Sequence, residues 1–213
     1  MIEYQKIETL HAFNPKTKKY KKDYYNPIVE YLAPLPWICS EKFDGTNIRV
    51  HYDGYSVEWA GRTYKSILPA EIEKLLSDTF GESEIIFEQN FGDKDVILFM
   101  ECYGGKVQGG IYGGKERLIG FDVMVNGIYL DKSQVADVMG KFGVEAVEFF
   151  EVPNLAEAER IALEWAPATH VEDGKETRIE GLVCVPKARL YDFRGDRICV
   201  KIKHKDLIKM EDE

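Results

Sequence analysis

Four runs of strand length, rich in apolar, β-branched and aromatic residues, constrain the fold of this chain more than any other feature. They are DVILFMECY (95–103), RLIGFDVMV (117–125), GLVCVP (181–186) and RICVKIK (197–203). Residues 47–53 and 55–60 alternate in polarity on either side of Asp53-Gly54, which predicts a β-hairpin. Most of the chain is therefore predicted to form short strands.

Three segments have the periodicity and the end signals of helices. They are PAEIEKLLSD (69–78), DKSQVADVMGKFG (131–143) and NLAEAERIALEW (154–165). Pro69 stands at a helix-compatible first position, and Asp131 and Asn154 each precede Gln or Glu by three residues, as in a capping box. Helices that interrupt strands irregularly favour an α+β fold with mostly antiparallel sheets. No composition shift marks a boundary, so a single domain over 1–213 is predicted.

The composition predicts a folded chain without a membrane anchor. Hydrophobic residues make up 45% of the sequence, enough for a substantial core. No apolar run approaches the roughly 18 residues that a membrane span needs. The N-terminus, MIEYQKIETLHAF, lacks the apolar segment of a signal peptide. We therefore expect no membrane partner and a cytoplasmic location, in the host cytoplasm if a virus encodes the chain.

The cysteines lie far apart and form no C-x-x-C pair. Such spacing predicts neither a zinc site nor a disulfide framework. Cys102, Cys184 and Cys199 fall within the apolar runs and are predicted to be buried thiols.

The net charge of −9 disfavours a polyanionic partner, but the charge is unevenly distributed. KTKKYKK (16–22) carries five lysines and no acid, and residues 187–209 carry eight Lys or Arg against three Asp. Arg49, Lys106 and the lysines of 16–22 are candidate contacts for a phosphate backbone. A solvated surface is the favoured interpretation for each of them.

A glycine-rich segment, GGKVQGGIYGGKE (104–116), contains the spacing G-x-x-x-x-G-K. A phosphate-binding P-loop requires Ser or Thr next and then a helix. Glu116 follows instead, and then a strand-like run. A flexible loop that joins two strands is the better interpretation.

EKFDGTNIRV (41–50) places a lysine and an aspartate two residues apart, so in a strand Lys42 and Asp44 would share a face. A surface ion pair would explain this local spacing. VKIK (200–203) places Lys201 and Lys203 on one face in the same way. These two cations could hold a phosphate and favour the uncharged, nucleophilic form of Lys42. The alternative is a basic edge strand protected by lysine.

In combination these segments resemble the covalent nucleotidyltransferases, which include ATP-dependent polynucleotide ligases and mRNA capping enzymes. EKFDGTN resembles the K-x-D-G motif of that superfamily. The later motifs follow in order from Glu41 to Lys203: Arg62 in GRT, Glu101 in FMECYGG, Phe121 and Asp122 in IGFDV, Glu180 and Gly181 in IEGLVCVP, and Lys201 and Lys203 in VKIK.

Asn47 makes the resemblance closer to the RNA ligases than to the other members of the superfamily. DNA ligases and capping enzymes usually carry arginine at this place, in K-x-D-G-x-R. The asparagine resembles the second type of phage RNA ligase and the kinetoplastid RNA-editing ligases, and Arg49 resembles a variant found among archaeal RNA ligases.

The resemblance implies a nucleotidyltransferase (ATP-grasp-like) adenylation fold with a few flanking helices. It also implies an ATP-dependent RNA ligase that seals RNA ends, nicked or single-stranded, in three steps. The lysine forms lysyl-AMP from ATP, AMP moves to an RNA 5′-phosphate, and an RNA 3′-hydroxyl then displaces AMP.

The same resemblance assigns catalytic roles. Lys42 is the nucleophile, and Lys201 and Lys203 hold the α-phosphate. Asp44 and Glu180 are placed near Mg²⁺, for which Mn²⁺ is an alternative.

Nucleotide-binding roles follow from the resemblance as well. Phe121 stacks on the adenine, and Glu101 contacts the ribose. Arg62 and Asn47 serve the ribose, the phosphate or the step with nucleic acid. Glu41 is assigned to the adenine amino group.

The chain departs from the wider superfamily after Lys203, where only HKDLIKMEDE remains. We therefore expect no C-terminal OB-fold. Three alternatives follow: the catalytic domain is sufficient, a protein partner replaces the missing domain, or the chain only adenylylates itself. A DNA ligase and a GTP-dependent capping enzyme are the alternatives within the superfamily, and Asn47 counts against both. A non-catalytic nucleotide- or RNA-binding module is the alternative of a different class.

Overall fold

The structure is a computed structural model that describes residues 2–63, 65–165, 169–172 and 175–210. The chain divides into two compact units, each named here for its main sheet. The six-stranded unit comprises Met1–Tyr4, Asp44–Val147 and Val171–Lys175, and the five-stranded unit comprises Gln5–Phe43, Glu148–His170 and Glu176–Glu213. A single adenylation domain over 1–213 stays a prediction.

The strands in chain order are β1 (Glu8–Thr9), β2 (His11–Asn14), β3 (Lys19–Tyr24), β4 (Trp37–Lys42), β5 (Thr46–Tyr52), β6 (Val57–Ala60), β7 (Val96–Tyr103), β8 (Arg117–Val125), β9 (Ile128–Tyr129), β10 (Glu145–Ala146), β11 (Phe149–Val152), β12 (Thr169–Glu172), β13 (Lys175–Arg178), β14 (Gly181–Pro186) and β15 (Val200–Lys203). The helices are α1 (Pro27–Leu32), α2 (Ala70–Phe80), α3 (Glu84–Phe91), α4 (Lys132–Gly140), α5 (Leu155–Trp165) and α6 (His204–Leu207).

The five-stranded sheet has the order β1-β15-β14-β4-β11, in which only the β1–β15 pair is parallel. One face packs against α1 and α5 through a core that includes Trp37, Cys39, Leu155, Leu182 and Val200. Because side chains alternate along a strand, residues between these core positions project from the opposite face. That face carries the polar side chains of the candidate site.

The six-stranded sheet has the order β10-β8-β7-β5-β6, with β9 added beside β8, and only the β10–β8 pair is parallel. Its apolar face packs on helices through aromatic contacts, such as the stacked rings of Tyr52 and Phe87, whose centroids lie 5.0 Å apart. Gly120 allows the close approach of α4, since an added Cβ would lie 2.4 Å from the Met139 side chain. The mostly antiparallel α+β prediction is confirmed.

The four apolar runs, the hairpin strands and the three helices form as predicted, with changes at their ends. Lys42 and Asp44 do not share a strand, because β4 ends at Lys42 and β5 begins at Thr46. The hairpin turn at Asp53-Gly54 is confirmed, because the Asp53 carboxylate accepts the backbone N–H groups of Tyr55 and Ser56. The run 197–203 contributes a shorter strand, Val200–Lys203. Pro69 lies just before α2 and not in its first turn. Among the described residues, none of the helices combines the length and apolar character needed to cross a membrane.

The cysteines are buried free thiols, as predicted for Cys102, Cys184 and Cys199. Burial, followed by the negative charges of Glu116 and Glu101, raises the pKa of Cys102 to about 12. A thiol in this state is a poor nucleophile, since reactivity depends on the thiolate.

One buried ion pair joins β2 to α5 and makes stability depend on pH. The His11 Nε2 and Glu159 Oε1 atoms lie 2.5 Å apart. Burial alone would lower the pKa of His11, but the hydrogen bond and charge of Glu159 outweigh it and raise the pKa above 6.5. The charged pair therefore stabilises the folded chain fully below the unfolded-state pKa, and this contribution is lost as pH rises through the folded-state pKa.

We expect His11→Gln to lower Tm most near about pH 6 and progressively less as the pH rises through the folded-state pKa of His11. Thermal unfolding across this range measures the difference. In a Glu159→Gln background the same substitution should no longer lower Tm more at acid than at basic pH, because burial then favours the neutral form of His11. A difference in Tm that stays constant from acid to base would contradict the assignment.

Candidate active site

The five-stranded unit brings together a carboxylate and two ammonium groups that lie far apart in the sequence. The Lys42 Nζ atom donates to the Glu180 Oε2 atom over 2.6 Å, and Lys203 forms an ion pair with Glu180 Oε1. The side chain of Glu180 is only 9% exposed, and those of Lys42 and Lys203 are 22% and 19% exposed. The three predicted catalytic residues thus form one partly buried cluster.

Strand register accounts for this cluster. Gly181 of β14 lies opposite Lys42 on one side and opposite Lys203 on the other. Because Glu180 directly precedes Gly181, its side chain reaches both lysines, which come from the neighbouring strands. Lys201 lies opposite Val183, two residues along the same face. Gly181 has φ +155°, and an added Cβ there would lie 1.9 Å from the Ile202 carbonyl oxygen. Only glycine therefore allows this pairing.

The charges in the cluster shift the pKa of two groups. Burial favours the neutral form of Glu180, but the positive charges of Lys42 and Lys203 outweigh burial and lower the pKa of this carboxyl. Burial, followed by repulsion from Lys203 and Lys42, lowers the pKa of Lys201. Glu180 is thus an ionised partner that orients both lysines.

Glu41 does not share the face of Lys42. It lies opposite Leu182, in the alternation that also includes the buried Trp37 and Cys39. Its predicted contact with the adenine amino group stays a prediction.

In the six-stranded unit, the segment that follows Lys42 in the sequence is held by the glycine-rich loop. The Asp44 backbone N–H donates to the Tyr112 hydroxyl over 3.0 Å, and the Gln108 side chain donates to the Gly45 carbonyl over 2.9 Å. An added Cβ at Gly45 would lie 2.3 Å from the Cys102 carbonyl oxygen, so the motif glycine permits close approach to β7. As predicted, residues 104–116 join two strands, and the element that comes directly after Lys115 is the strand β8 and not a helix.

Asn47 and Glu101 are direct neighbours on β5 and β7. The Asn47 Oδ1 atom is buried and has no hydrogen-bond partner among the residues described. A buried acceptor without a donor costs about 1–3 kcal/mol. A ligand that donates to this oxygen would recover that free energy.

The position of Phe121 is determined by a β-bulge in β8. Phe99 pairs with Asp122 and Met100 pairs with Gly120, which leaves Phe121 as the extra residue. Its half-buried ring meets the Tyr4 ring edge-on, with centroids 5.1 Å apart. The neighbouring Asp122 is fully buried and accepts hydrogen bonds from Tyr4 and Lys132, so the position of Phe121 is fixed from both sides.

Two arginines differ in their surroundings. Arg62 is exposed in the bend after β6, and its predicted role stays a prediction. Arg49 was predicted to be a candidate RNA contact or a solvated residue, and both interpretations are wrong. It is fully buried and donates to the backbone carbonyls of Gly61 and Ile2 over 2.9 and 2.8 Å. Arg49 therefore ties the N-terminal segment and the Arg62 bend to β5.

Comparison with known proteins identifies the family. The model of the family described as RNA ligase matches residues 35–203, which contain every predicted motif. The chain belongs to the RNA ligase family. This confirms the resemblance seen in the motif series.

Solved structures of an RNA ligase from Naegleria gruberi have the same fold as this RNA ligase family member. A substituted variant without ligand matches with a TM-score of 0.61, 17% identity, and coverage of 96% of this chain and 60% of that one. A variant with ATP and manganese matches with a TM-score of 0.60 and 18% identity, and the match covers 94% of this chain and 61% of that one. The ligase with pyrophosphate matches with a TM-score of 0.61 and 18% identity, and the match covers 95% of this chain and 60% of that one. The chain thus spans about 60% of the length of these structures. No curated protein sequence matches it.

Four residues that sequence reasoning passed over support the site: Tyr4, Gln108, Tyr112 and Lys132. Tyr112 lies within the glycine-rich segment, where an aromatic residue among glycines was the one available signal. The other three act through contacts between distant segments, which local spacing cannot reveal.

We expect Gly181→Ala to separate β14 from β15, because the added Cβ would overlap the Ile202 carbonyl. Stability should fall by about 2 kcal/mol or more, and covalent labelling by ATP, the activity proposed below, should be lost as Lys203 moves. Gly140→Ala in α4 is the control, since an added Cβ there meets nothing within 4 Å. Equal Tm values and equal labelling in the two variants would contradict this account.

We expect Tyr112→Phe to slow the proposed covalent labelling by ATP about fivefold or more, because Asp44 loses the acceptor that holds its backbone N–H. Tyr55→Phe, at a side chain that is 85% exposed in a hairpin turn, should label at the normal rate. Single-turnover labelling measures both. An unchanged rate for Tyr112→Phe would show that the loop contact does not position the motif.

Proposed function

We propose that this RNA ligase family member is an ATP-dependent RNA ligase, which joins an RNA 3′-hydroxyl to an RNA 5′-phosphate through lysyl-AMP. The observation that carries the proposal is the grouping of Lys42, Glu180 and Lys203 on adjacent strands. The family match supports the reaction class. The Naegleria ligase structures with ATP and with pyrophosphate support ATP as the nucleotide.

In the first step the Lys42 nitrogen attacks the α-phosphorus of ATP. A nitrogen–phosphorus bond forms, the bond from the α-phosphorus to the bridging oxygen breaks, and pyrophosphate leaves while the amine releases a proton to solvent. An oxygen of the RNA 5′-phosphate then attacks that phosphorus and frees Lys42. Finally the RNA 3′-hydroxyl attacks the 5′-phosphate, loses its proton and expels AMP. The covalent intermediate divides one difficult transfer into easier ones.

The lysines supply the charge that this chemistry needs. Phosphoryl transfer depends mainly on positioning and on neutralising the phosphate oxygens. Lys201 and Lys203 project from the same face as Lys42, on the strand that pairs with β14. They are proposed to hold the α-phosphate.

Glu180 is proposed to orient the nucleophile and not to act as its base. The carboxylate lies 2.6 Å from the Lys42 ammonium, close enough to fix its direction. Because its pKa is lowered, Glu180 holds a proton poorly near neutral pH. A phosphate that enters would compete with Glu180 for both lysines.

Contacts with the nucleoside are proposed for three residues of the six-stranded unit. The buried Asn47 Oδ1 atom is an acceptor that lacks a donor among the described residues. Glu101 lies beside it and is proposed for the ribose. The Phe121 ring, supported edge-on by Tyr4, is proposed to stack on the adenine.

Mg²⁺, with Mn²⁺ as the alternative, is the proposed cofactor. Within the described ranges, no group of three or more His, Cys, Asp or Glu side chains converges as a ready-made metal site. This suits an ion that keeps several waters and binds substrate phosphates beside one or two carboxylates, as Mg²⁺ does. Asp44 and Glu180 are the carboxylates proposed as its ligands. When bound, the ion would neutralise charge on the phosphates.

RNA ends, nicked or single-stranded, are the proposed substrate. Joining these ends also requires a surface that positions both of them. A protein partner that contributes such a surface, and a cytoplasmic location, are proposed with it.

The deciding experiment is incubation with α-labelled ATP and Mg²⁺. We expect label to become covalently attached to the wild-type chain and not to Lys42→Ala. Glu180→Gln should label at least about tenfold more slowly, because the amine loses its ionised partner. Lys94→Ala, at an exposed lysine, is the matched control and should label normally.

A wild-type chain that takes up no label, or equal labelling of Lys42→Ala, would overturn the proposal. Competition by unlabelled GTP, and comparison of RNA with DNA nicks, would distinguish the capping and DNA-ligase alternatives. Reversible ATP binding without covalent transfer would indicate a binding module.

A further inference from the structure

An exposed hairpin concentrates positive charge on an otherwise acidic chain. This lysine hairpin, residues 11–24, consists of β2 and β3 and their turn. It carries five lysines against one aspartate, a formal charge of +4, whereas the whole chain carries −9. The exposed lysines are Lys16, Lys18, Lys19, Lys21 and Lys22.

Most of these lysines are not neutralised by neighbouring acids. Within the part of the chain that the structure describes, no ion pair involves Lys16, Lys18, Lys19 or Lys21. Other exposed lysines behave differently: ion pairs are formed by Lys74 with Asp78, by Lys141 with Asp137 and by Lys187 with Glu151. The hairpin thus keeps its charge available for an anionic partner.

The turn of the hairpin is ordered by Asn14. The Lys18 backbone N–H donates to the Asn14 carbonyl over 2.9 Å, and the Lys16 N–H donates to the Asn14 side chain over 3.0 Å. At the base, His11 pairs with Glu159 and stacks on Tyr24, with ring centroids 5.7 Å apart. The lysines are therefore presented from a fixed scaffold, which lowers the entropy lost on binding.

The hairpin begins beside the candidate catalytic strand of the same unit. Thr9 pairs with Lys201, and the Leu10 N–H donates to the Lys201 carbonyl over 3.0 Å. Tyr20 of the hairpin lines one small crevice together with Lys201 and Lys203. The basic surface of the hairpin thus adjoins the strand that carries the proposed phosphate-binding lysines.

An aromatic pair lies among the lysines. Phe13 is 51% exposed, and its ring packs on Tyr20 with centroids 5.2 Å apart. Positive charge that follows a backbone, combined with accessible aromatic faces, is typical of surfaces that bind single-stranded nucleic acid.

We propose that the lysine hairpin binds the phosphate backbone of the RNA strand whose end is joined, an inference that rests on the proposed function. The positive charge of the lysine hairpin favours a polyanion as the ligand. The adjoining Lys201 and Lys203 favour a polyanion that carries a reacting phosphate. The hairpin contributes affinity for RNA without sequence preference. It takes no part in the transfer of AMP to Lys42.

The test compares two variants of the full chain with equal loss of charge. One carries Lys16→Gln, Lys19→Gln and Lys21→Gln in the hairpin, and the other carries Lys74→Gln, Lys141→Gln and Lys187→Gln. The probe is fluorescently labelled single-stranded RNA, with binding followed by anisotropy over a range of salt concentrations. Covalent labelling by α-labelled ATP is measured on the same samples.

We expect the hairpin variant to bind RNA about tenfold or more weakly at low salt. Its plot of log K against log salt concentration should have a slope shallower by about 2, since each phosphate contact on a single strand contributes about 0.7 and three lysines are replaced. The control variant should bind nearly as the wild type does. Both should form lysyl-AMP at the wild-type rate.

Equal RNA affinity in the two variants, or no measurable binding by the wild type, would overturn the inference. Slower labelling by ATP in the hairpin variant would overturn it too, because the hairpin would then act on the first step. A hairpin variant that loses binding to phosphatidylserine vesicles but keeps RNA binding would point to a lipid surface instead. Failure of the proposed function is distinct, because the wild-type chain would then take up no label at all.

Discussion

A buried carboxylate between two ammonium groups is the constraint on which the candidate site depends. Glu180 would be costly to bury alone, and Lys42 and Lys203 offset that cost from strands on either side. Removing Glu180 would leave two neighbouring ammonium groups without their shared counter-ion, so the register of β4, β14 and β15 is fixed by charge as well as by packing. The same arrangement determines which ligand can enter: an anion that can replace the carboxylate as the partner of the lysines.

Elements with a strong apolar pattern could be predicted from the sequence, and elements without one could not. The central strands, such as Arg117–Val125 and Gly181–Pro186, form as predicted because they are apolar enough to require burial. The strand Lys19–Tyr24 was not predicted, since most of its residues are exposed and polar. The helix Pro27–Leu32 is only six residues long, too short to show a helical period.

The residues of the candidate site likewise include some that could be predicted from the sequence and some that could not. The motif residues that carry charge, Lys42, Glu180 and Lys203, could be predicted because the ordered series of motifs resembles that of a known superfamily. Local spacing alone did not distinguish them from a surface ion pair or a basic edge strand. Tyr112 and its contact with Asp44 could not, because the contact depends on how a loop folds back on a distant segment. Arg49 shows the opposite error, since a basic residue in a motif suggested a ligand contact and the structure uses it to anchor backbone carbonyls.

The bulge in β8 has a consequence for how this site can change over evolutionary time. Phe121, between Gly120 and Asp122 of β8, has no partner in the register with β7, and the pairing continues in step on both sides of it. Deletion of its single codon would leave a regular strand and remove the aromatic ring. A relative could therefore lose or regain the ring by a one-codon event, with the fold intact and with no substitution at any neighbouring position.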